Sequence, residues 1–439
     1  MSRTLDHTHD IGIHSWVDAA NDEGSDFPLQ NLPLCMFRPA PGLVMRAGIG
    51  IGDQILDLGL AADSGLLEGL SDMIVGALKG VRLNELFALG AEAMTALRRE
   101  VWRVLAVGYA RRDEVPLSPM AEAEFGLPCE VGDYTDFFSS LNHAMNTFRL
   151  FRPGQVFLPN FKHLPIAYHG RASSIVPSGT AVTRPFGQTR PHPEEPPRFG
   201  PSRKIDFEVE LGFYVGTGNA LGRRIALDDA DRHLAGVSLL NDWSARDLQA
   251  WESQPLGPFL SKNFASTVSP WVVTLDALAP FRAPLLAREA GDPVPQDYLH
   301  SPANDAGGAF RIRIDTLIRT RAMRAAGEPP ARISQANFAR DVWWTPAQMV
   351  AHHTVNGCNL RPGDLIGSGT ISGPEDGTQG SLLELTHGGS RPIGLPNGET
   401  RAFVEDGDEV ILAAWCDRPG FRRIGLGRCT GLILPAEEQ

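Results

Sequence analysis

Thirty-four prolines and 46 glycines punctuate a chain of 439 residues, and that density is the strongest restraint on its fold. Proline interrupts helices and cannot donate to a sheet ladder, while glycine marks turns. A chain cut this often favours short strands and long loops over a helical bundle. One stretch escapes the pattern. Ser64 to Val107 is rich in Leu, Ala, Glu and Arg, with Leu83, Leu86, Phe87 and Leu89 at helical spacing. Upstream, Leu43 to Leu60 reads as two short strands turning near Gly52-Asp53. Together these suggest a small mixed N-terminal unit ending near Val115 to Cys129. Further on, Arg184 to Lys204 reads as a proline-rich loop and Pro280 to Gly308 as a second irregular segment. Phe310, Ile312 and Ile314 alternate with Arg311, Arg313 and Asp315, the pattern of a half-exposed strand. The arginines from Arg311 to Arg340 read as a solvated face.

Charge and composition remove several function classes. Lys plus Arg number 40 against 52 Asp plus Glu, a formal charge of -12, which disfavours binding to a phosphate backbone. No apolar run approaches the ~18 residues of a membrane-spanning helix, and Met1 to Gly24 has no apolar segment of the kind a secretory signal needs. Five cysteines form no C-x-x-C pair, so a reduced, cytoplasmic protein is expected. Phosphate-loop, H-E-x-x-H and G-x-S-x-G motifs are absent from the sequence. Gly48-Ile49-Gly50-Ile51-Gly52 resembles a dinucleotide fingerprint only loosely, and a strand with its turn is the better reading.

Acidic residues in apolar settings carry the chemistry. In Phe207-Glu208-Val209-Glu210-Leu211-Gly212-Phe213, a strand would place Phe207, Val209, Leu211 and Phe213 on one face and Glu208 and Glu210 on the other. A lone E-x-E is ordinarily a solvated face. Here Asp136 before Phe137-Phe138 and Asp242 before Trp243 add two more acids, and four carboxylates suit a hard cation such as Ca²⁺ or Mg²⁺ rather than zinc. Read as helical, Asp242, Arg246 and Gln249 fall on one stripe, where a cation and an amide donor could meet a developing oxyanion. An N-cap with an exposed Asp/Arg pair is the plainer alternative. Asp136 and His143 stand seven apart and could share a helical face, but spacing alone names no acid partner for the histidine.

DYTDF (133–137), LPIAYHGRASS (164–174), DFEVELGFYVG (206–216), NDWSARDLQ (241–249), PLGPFLSKNF (255–264), VNGCNLRPGDLIGSGTISGP (355–374) and GSLLELT (380–386) together resemble the fumarylacetoacetase family. The resemblance starts at FPLQNLP (27–33) and IGDQILDL (51–58), runs to DGDEVIL (406–412), and is weakest from Phe281 to Gln335. It implies a β-rich α+β fold, with an SH3-like barrel domain over residues 1–130 and a β-roll catalytic domain over 131–439, assembled as a homodimer. The activity implied is metal-dependent hydrolysis of the carbon–carbon bond of fumarylacetoacetate to fumarate and acetoacetate, the last step of phenylalanine and tyrosine catabolism. Hydrolysis of an acylpyruvate or another β-diketone acid is the alternative within the superfamily, and a catalytically inactive metal-binding protein the alternative outside it.

Residue by residue, the resemblance implies Asp136, Glu208, Glu210 and Asp242 as ligands of Ca²⁺ or Mg²⁺, with a second cation site near Lys262 and Ser266. It makes His143 the catalytic base and Glu384 its partner, on a strand that would bury this carboxylate among leucines. Arg246, Gln249 and Lys262 match oxyanion-stabilising positions, and Arg152, Tyr168 and Thr370 substrate-holding ones. Phe138 and Ser253 stand where the family has substrate-contacting tyrosines. No organic cofactor, nucleic acid or membrane partner is implied.

Overall fold

The computed structural model describes residues 4–192 and 194–437. Its β-rich mixed architecture follows the punctuation of the sequence. Leu117–Pro119, Gln54–Asp57, Arg46–Ile51, Leu34–Arg38 and Glu124–Phe125 pair in that order as an antiparallel sheet. The glycine run is strand and turn, as expected. Gly52 closes the turn at φ 58°, and a β-carbon there would lie 2.6 Å from the backbone nitrogen of Ala20, so only glycine fits. The helical stretch from Ser64 divides into Asp72–Leu78, Asn84–Ala88 and Gly90–Leu105, and a further helix, Leu58–Asp63, precedes it. The longest of these buries Met94, Leu97, Val101, Val104 and Leu105, a 3.6-residue stripe.

A larger mixed sheet positions the site. Its strands run Ala167–His169, Tyr134–Phe137, Leu365–Gly367, Val209–Val215, Leu234–Asp242, Ser266–Val268 and Ile175–Pro177 across the sheet. Leu365–Gly367 lies parallel to Tyr134–Phe137, and Ser266–Val268 lies parallel to Ile175–Pro177. A further sheet, Ala331–Asn337, Ile312–Arg319, Glu409–Cys416, Ile424–Leu434 and Val182–Thr183, covers one face of it. Phe207, Val209, Leu211 and Phe213 pack with Ile312, Ile314, Leu412 and Leu426 in the core between them. The alternation read from Phe310 to Asp315 holds: Ile312 and Ile314 are buried, and Arg311 and Arg313 are exposed.

Four local expectations are corrected. The proline-rich loop contains a hairpin, Phe186–Thr189 against Arg198–Pro201, because its prolines fall at the ends and in the connection. Pro280 to Gly308 contains the strand Arg282–Ala283 and the helix Pro302–Gly307. Asp242 does not open a helix: it ends the strand Leu234–Asp242, and the helix is Arg246–Glu252. Asp136 lies on the strand Tyr134–Phe137 while His143 lies on the helix Leu141–Phe151, so no helical face joins them. Among the described residues no helix is long and apolar enough to cross a membrane, and all five cysteines are free.

Candidate functional site

Neighbouring strands of the mixed sheet bring the four acids together. Asp136 pairs with Gly367, Gly367 with Gly212, and Glu210 with Leu240, two residues before Asp242. Glu208 precedes the strand Val209–Val215, and its carbonyl accepts from the Asp242 N–H at 3.3 Å. Gly367 leaves the necessary gap. A β-carbon there would stand 2.7 Å from Oδ1 of Asp136 and 3.1 Å from Oε2 of Glu210. All four side chains are buried, and one oxygen from each lies within 4.8 Å of all the others.

The positive charge around this cluster is uneven. Lys262 Nζ donates to Glu208 at 2.6 Å and to Asp242 at 2.7 Å, while Arg246 Nη1 donates to Glu208 at 2.7 Å. Ser266 Oγ and the Tyr168 hydroxyl donate to Asp242 at 3.0 and 2.9 Å. Burial opposes ionisation of Glu208, but Lys262 and Arg246 outweigh it and hold its carboxyl well below the usual range. Among the described residues, Asp136 and Glu210 meet no such cation at contact distance. Burial, then the charge of Asp242, pushes Asp136 well up; burial, then Asp136, does the same to Glu210. Oδ1 of Asp136 and Oε1 of Glu210 have no hydrogen-bond partner among the described residues. Two orphaned, buried carboxylate oxygens beside two paired ones fit a hard, oxygen-seeking cation.

His143 and Glu384 form the second constellation. The Leu141–Phe151 helix buries His143, and its Nδ1 lies 2.6 Å from Oε2 of Glu384. The expected strand around Glu384 is instead the short helix Leu382–Leu385, opened by Ser381, whose hydroxyl caps the Glu384 N–H. Ser381-x-x-Glu384 is a helix-start signature, and it outweighs the apolar run that suggested a strand. Glu384 also accepts from Asn146 Nδ2 at 3.0 Å and from the hydroxyls of Ser372 and Ser381, each at 2.8 Å. Burial works against its charge, but His143 and these donors prevail and hold the carboxyl below its ordinary value. A carboxylate can only accept, so Nδ1 of His143 carries the proton and Nε2 is left as the basic nitrogen.

Both constellations border one cavity of about 670 Å³. Asp136, Glu208, His143, Arg246, Gln249 and Lys262 line it, together with Phe138, Arg152, Tyr168, Ser253 and Thr370. Glu210 and Glu384 lie behind this lining, and Asp242 and Ser266 open on a neighbouring cavity. Arg246 Nη1 donates to Oε1 of Gln249 at 3.0 Å, so the Gln249 NH₂ is free to donate elsewhere. The second terminal nitrogen of Arg246 and the hydroxyl of Thr370 are buried without partners among the described residues. Phe138 sets its ring edge-on to His143 at 5.2 Å, and the Ser253 hydroxyl donates to the Gln249 carbonyl at 2.5 Å.

Asp206, Asn146, Ser372 and Ser381 received no role from the sequence. Ser381 had a readable signal in its spacing to Glu384, and Asn146 stands one helical turn after His143. Asp206 and Ser372 had none: Arg246, Leu382 and Leu383 lie 40, 176 and 177 residues from Asp206, and Ser372 stands 12 residues from Glu384, which matches no helical or strand spacing.

Comparison with known proteins accords with this arrangement. The model described as Fumarylacetoacetase N-terminal matches residues 30–128, and Fumarylacetoacetate (FAA) hydrolase C-terminal matches residues 135–432. The fumarylacetoacetase of Arabidopsis thaliana is 44% identical over 433 residues, 97% of this chain and 99% of the relative. That of Homo sapiens is 44% identical over 432 residues, 96% and 99% of the two chains. A crystal structure described as an HpcE protein from Mycobacterium smegmatis shares the fold at a TM-score of 0.51, with 19% identity over 92% of this chain and 100% of that one. With two domain models spanning most of its length and relatives this similar from end to end, the chain belongs to the fumarylacetoacetase family.

Proposed function

We infer that the chain hydrolyses the carbon–carbon bond of fumarylacetoacetate, releasing fumarate and acetoacetate as in tyrosine catabolism. Near-complete coverage of curated fumarylacetoacetases supports the reaction. The observation that carries the site is the buried His143–Glu384 pair facing the same cavity as the acidic cluster. In this reading His143 Nε2 takes a proton from water as the water oxygen bonds to the carbonyl carbon. Glu384 fixes the tautomer and offsets the charge of the imidazolium, the part a carboxylate plays in a hydrolytic triad. Arg246, Gln249 and Lys262 donate to the oxyanion, a role in which one donor contributes about 3–4 kcal/mol. Collapse of the adduct breaks the carbon–carbon bond, and the leaving enolate takes up the proton that His143 took from water, which returns the imidazole to its neutral form. Ca²⁺ or Mg²⁺ held by Asp136, Glu208, Glu210 and Asp242, with Lys262 and Ser266 alongside, would supply Lewis-acid stabilisation to the diketone oxygens and the departing enolate.

Arg152, Tyr168, Thr370, Phe138 and Ser253 complete the reading as the substrate-facing side chains. The five-stranded sheet confined to residues 34–125 supports an N-terminal SH3-like unit over 1–130, with the catalytic β-roll over 131–439. A cytoplasmic homodimer completes the proposal, and five unpaired cysteines are compatible with a reducing compartment. Incubating the purified protein with fumarylacetoacetate and separating the products tests the reaction. Equimolar fumarate and acetoacetate are expected; an unchanged substrate in the presence of Ca²⁺ or Mg²⁺ would refute it.

A further inference from the structure

Asp206 does not line the cavity, yet it touches both halves of the machinery. Its strand, Ile205–Asp206, pairs with Ser244–Ala245, which sets Asp206 opposite Ser244, two residues before Arg246. The side chain is wholly buried and all its acceptor capacity is used. Oδ2 accepts from Arg246 Nε at 2.8 Å and from the Leu383 N–H at 2.9 Å. Oδ1 accepts from the Leu382 N–H at 2.7 Å and from its neighbour Phe207 at 2.9 Å. Leu382 and Leu383 are the first two residues of the turn that carries Glu384. One carboxylate therefore fixes the Nε edge of Arg246 and the backbone that aims Glu384 at His143.

We propose that Asp206 is a positioning residue that couples the oxyanion donor Arg246 to the His143–Glu384 pair. The proposal rests on the roles given above to Arg246 and His143. With Nε held by Asp206 and Nη1 shared between Glu208 and Gln249, the guanidinium plane is fixed and its unpartnered Nη2 has one available direction. The same carboxylate sets how far the Leu382–Leu385 turn stands from the Leu141–Phe151 helix. A displacement of either group by about 1 Å can cost a factor of about 100 in rate. Asparagine at this position cannot substitute, because its NH₂ would meet a backbone N–H or the Nε–H of Arg246 where both sides donate.

The test is steady-state kinetics on the metal-loaded enzyme with fumarylacetoacetate. Asp206→Asn is expected to lower kcat about 10- to 100-fold per metal-binding site, with KM changed less than about threefold. Titration with Ca²⁺ supplies the count of intact sites, which a loss of folded protein would lower while kcat per site stayed the same. Combined with Arg246→Ala, and separately with Glu384→Gln, the loss should fall well short of the product of the single losses. Full multiplication in both pairs, or an unchanged kcat per site, would overturn the coupling. Should Asp206→Asn yield no folded protein, Arg246→Lys breaks the Nε contact while keeping the charge; its loss must then be sub-multiplicative with Glu384→Gln, and independence overturns the proposal. If Arg246→Ala and Glu384→Gln each leave kcat intact, the reading of the site fails instead, whatever Asp206 does.

Discussion

Glu208 and Glu210 stand two residues apart and enter the same buried cluster, yet their surroundings push the first carboxyl well below the usual range and the second well above it. Glu208 meets Lys262 at 2.6 Å and Arg246 at 2.7 Å, whereas Glu210 meets a single backbone donor, the Gly369 N–H at 3.0 Å, and the three acids Asp136, Asp242 and Glu208. Burial opposes both charges, so the cations decide the outcome. The cluster is thus half neutralised by the chain itself, and the unneutralised half is where a cation gains most.

Metal affinity should therefore depend on pH in a defined direction. In the metal-free protein Asp136 and Glu210 have carboxyls raised above the ordinary range. Their contribution to stability is fully present below the unfolded values of roughly 4 and is lost as pH rises through the folded ones. A divalent cation held by the cluster would replace the protons and remove that loss. The gap in Tm between the Ca²⁺-loaded and chelator-stripped forms should widen from about pH 5 to 8. Calorimetric titration should show proton release on binding. A gap independent of pH would contradict this.

Lys262→Met should destabilise more than an ordinary core change. The variant leaves Glu208 and Asp242 buried without their shared ammonium, and breaking a buried pair in this way costs about 3–5 kcal/mol. Denaturant unfolding measures the loss, and added Ca²⁺ should recover part of it. Stability equal to that of the unaltered chain would show that the ammonium is dispensable to the cluster.

Phe138 and Ser253 are proposed as determinants of substrate preference. The Phe138 ring has no donor, and the Ser253 hydroxyl already serves the Gln249 carbonyl. A hydrogen bond to a charged group contributes about 1.5–3 kcal/mol. Replacing both with tyrosine should raise kcat/KM for fumarylacetoacetate relative to simpler acylpyruvates. An unchanged ratio in the Phe138→Tyr, Ser253→Tyr variant would remove both residues from the determinants of preference.

The acidic cluster was legible because alternation along a strand places Glu208 and Glu210 on the same face whatever the strand packs against. Its burial was not, since a solvated face has the same alternation. Asp242 was misplaced on a helix because its spacing to Arg246 and Gln249 fits a helical stripe, yet the helix begins only at Arg246. The apolar residues around Glu384 suggested a strand, and tertiary packing instead uses Ser381 as a cap. Asp206 illustrates what sequence cannot yield alone. Its contacts to Leu382 and Leu383 span 176 and 177 residues, and only the folded sheet brings those segments together.

The most direct test of the central claim is the rate at which the diketone absorbance of fumarylacetoacetate disappears, compared between the unaltered enzyme and His143→Ala, both metal-loaded. A positioned proton-transfer group contributes a factor on the order of 10²–10⁴. His143→Ala should fall by that much, and adding Glu384→Gln should make it little worse, because the two side chains act through one contact at 2.6 Å. Turnover by His143→Ala at the unaltered rate would contradict the account.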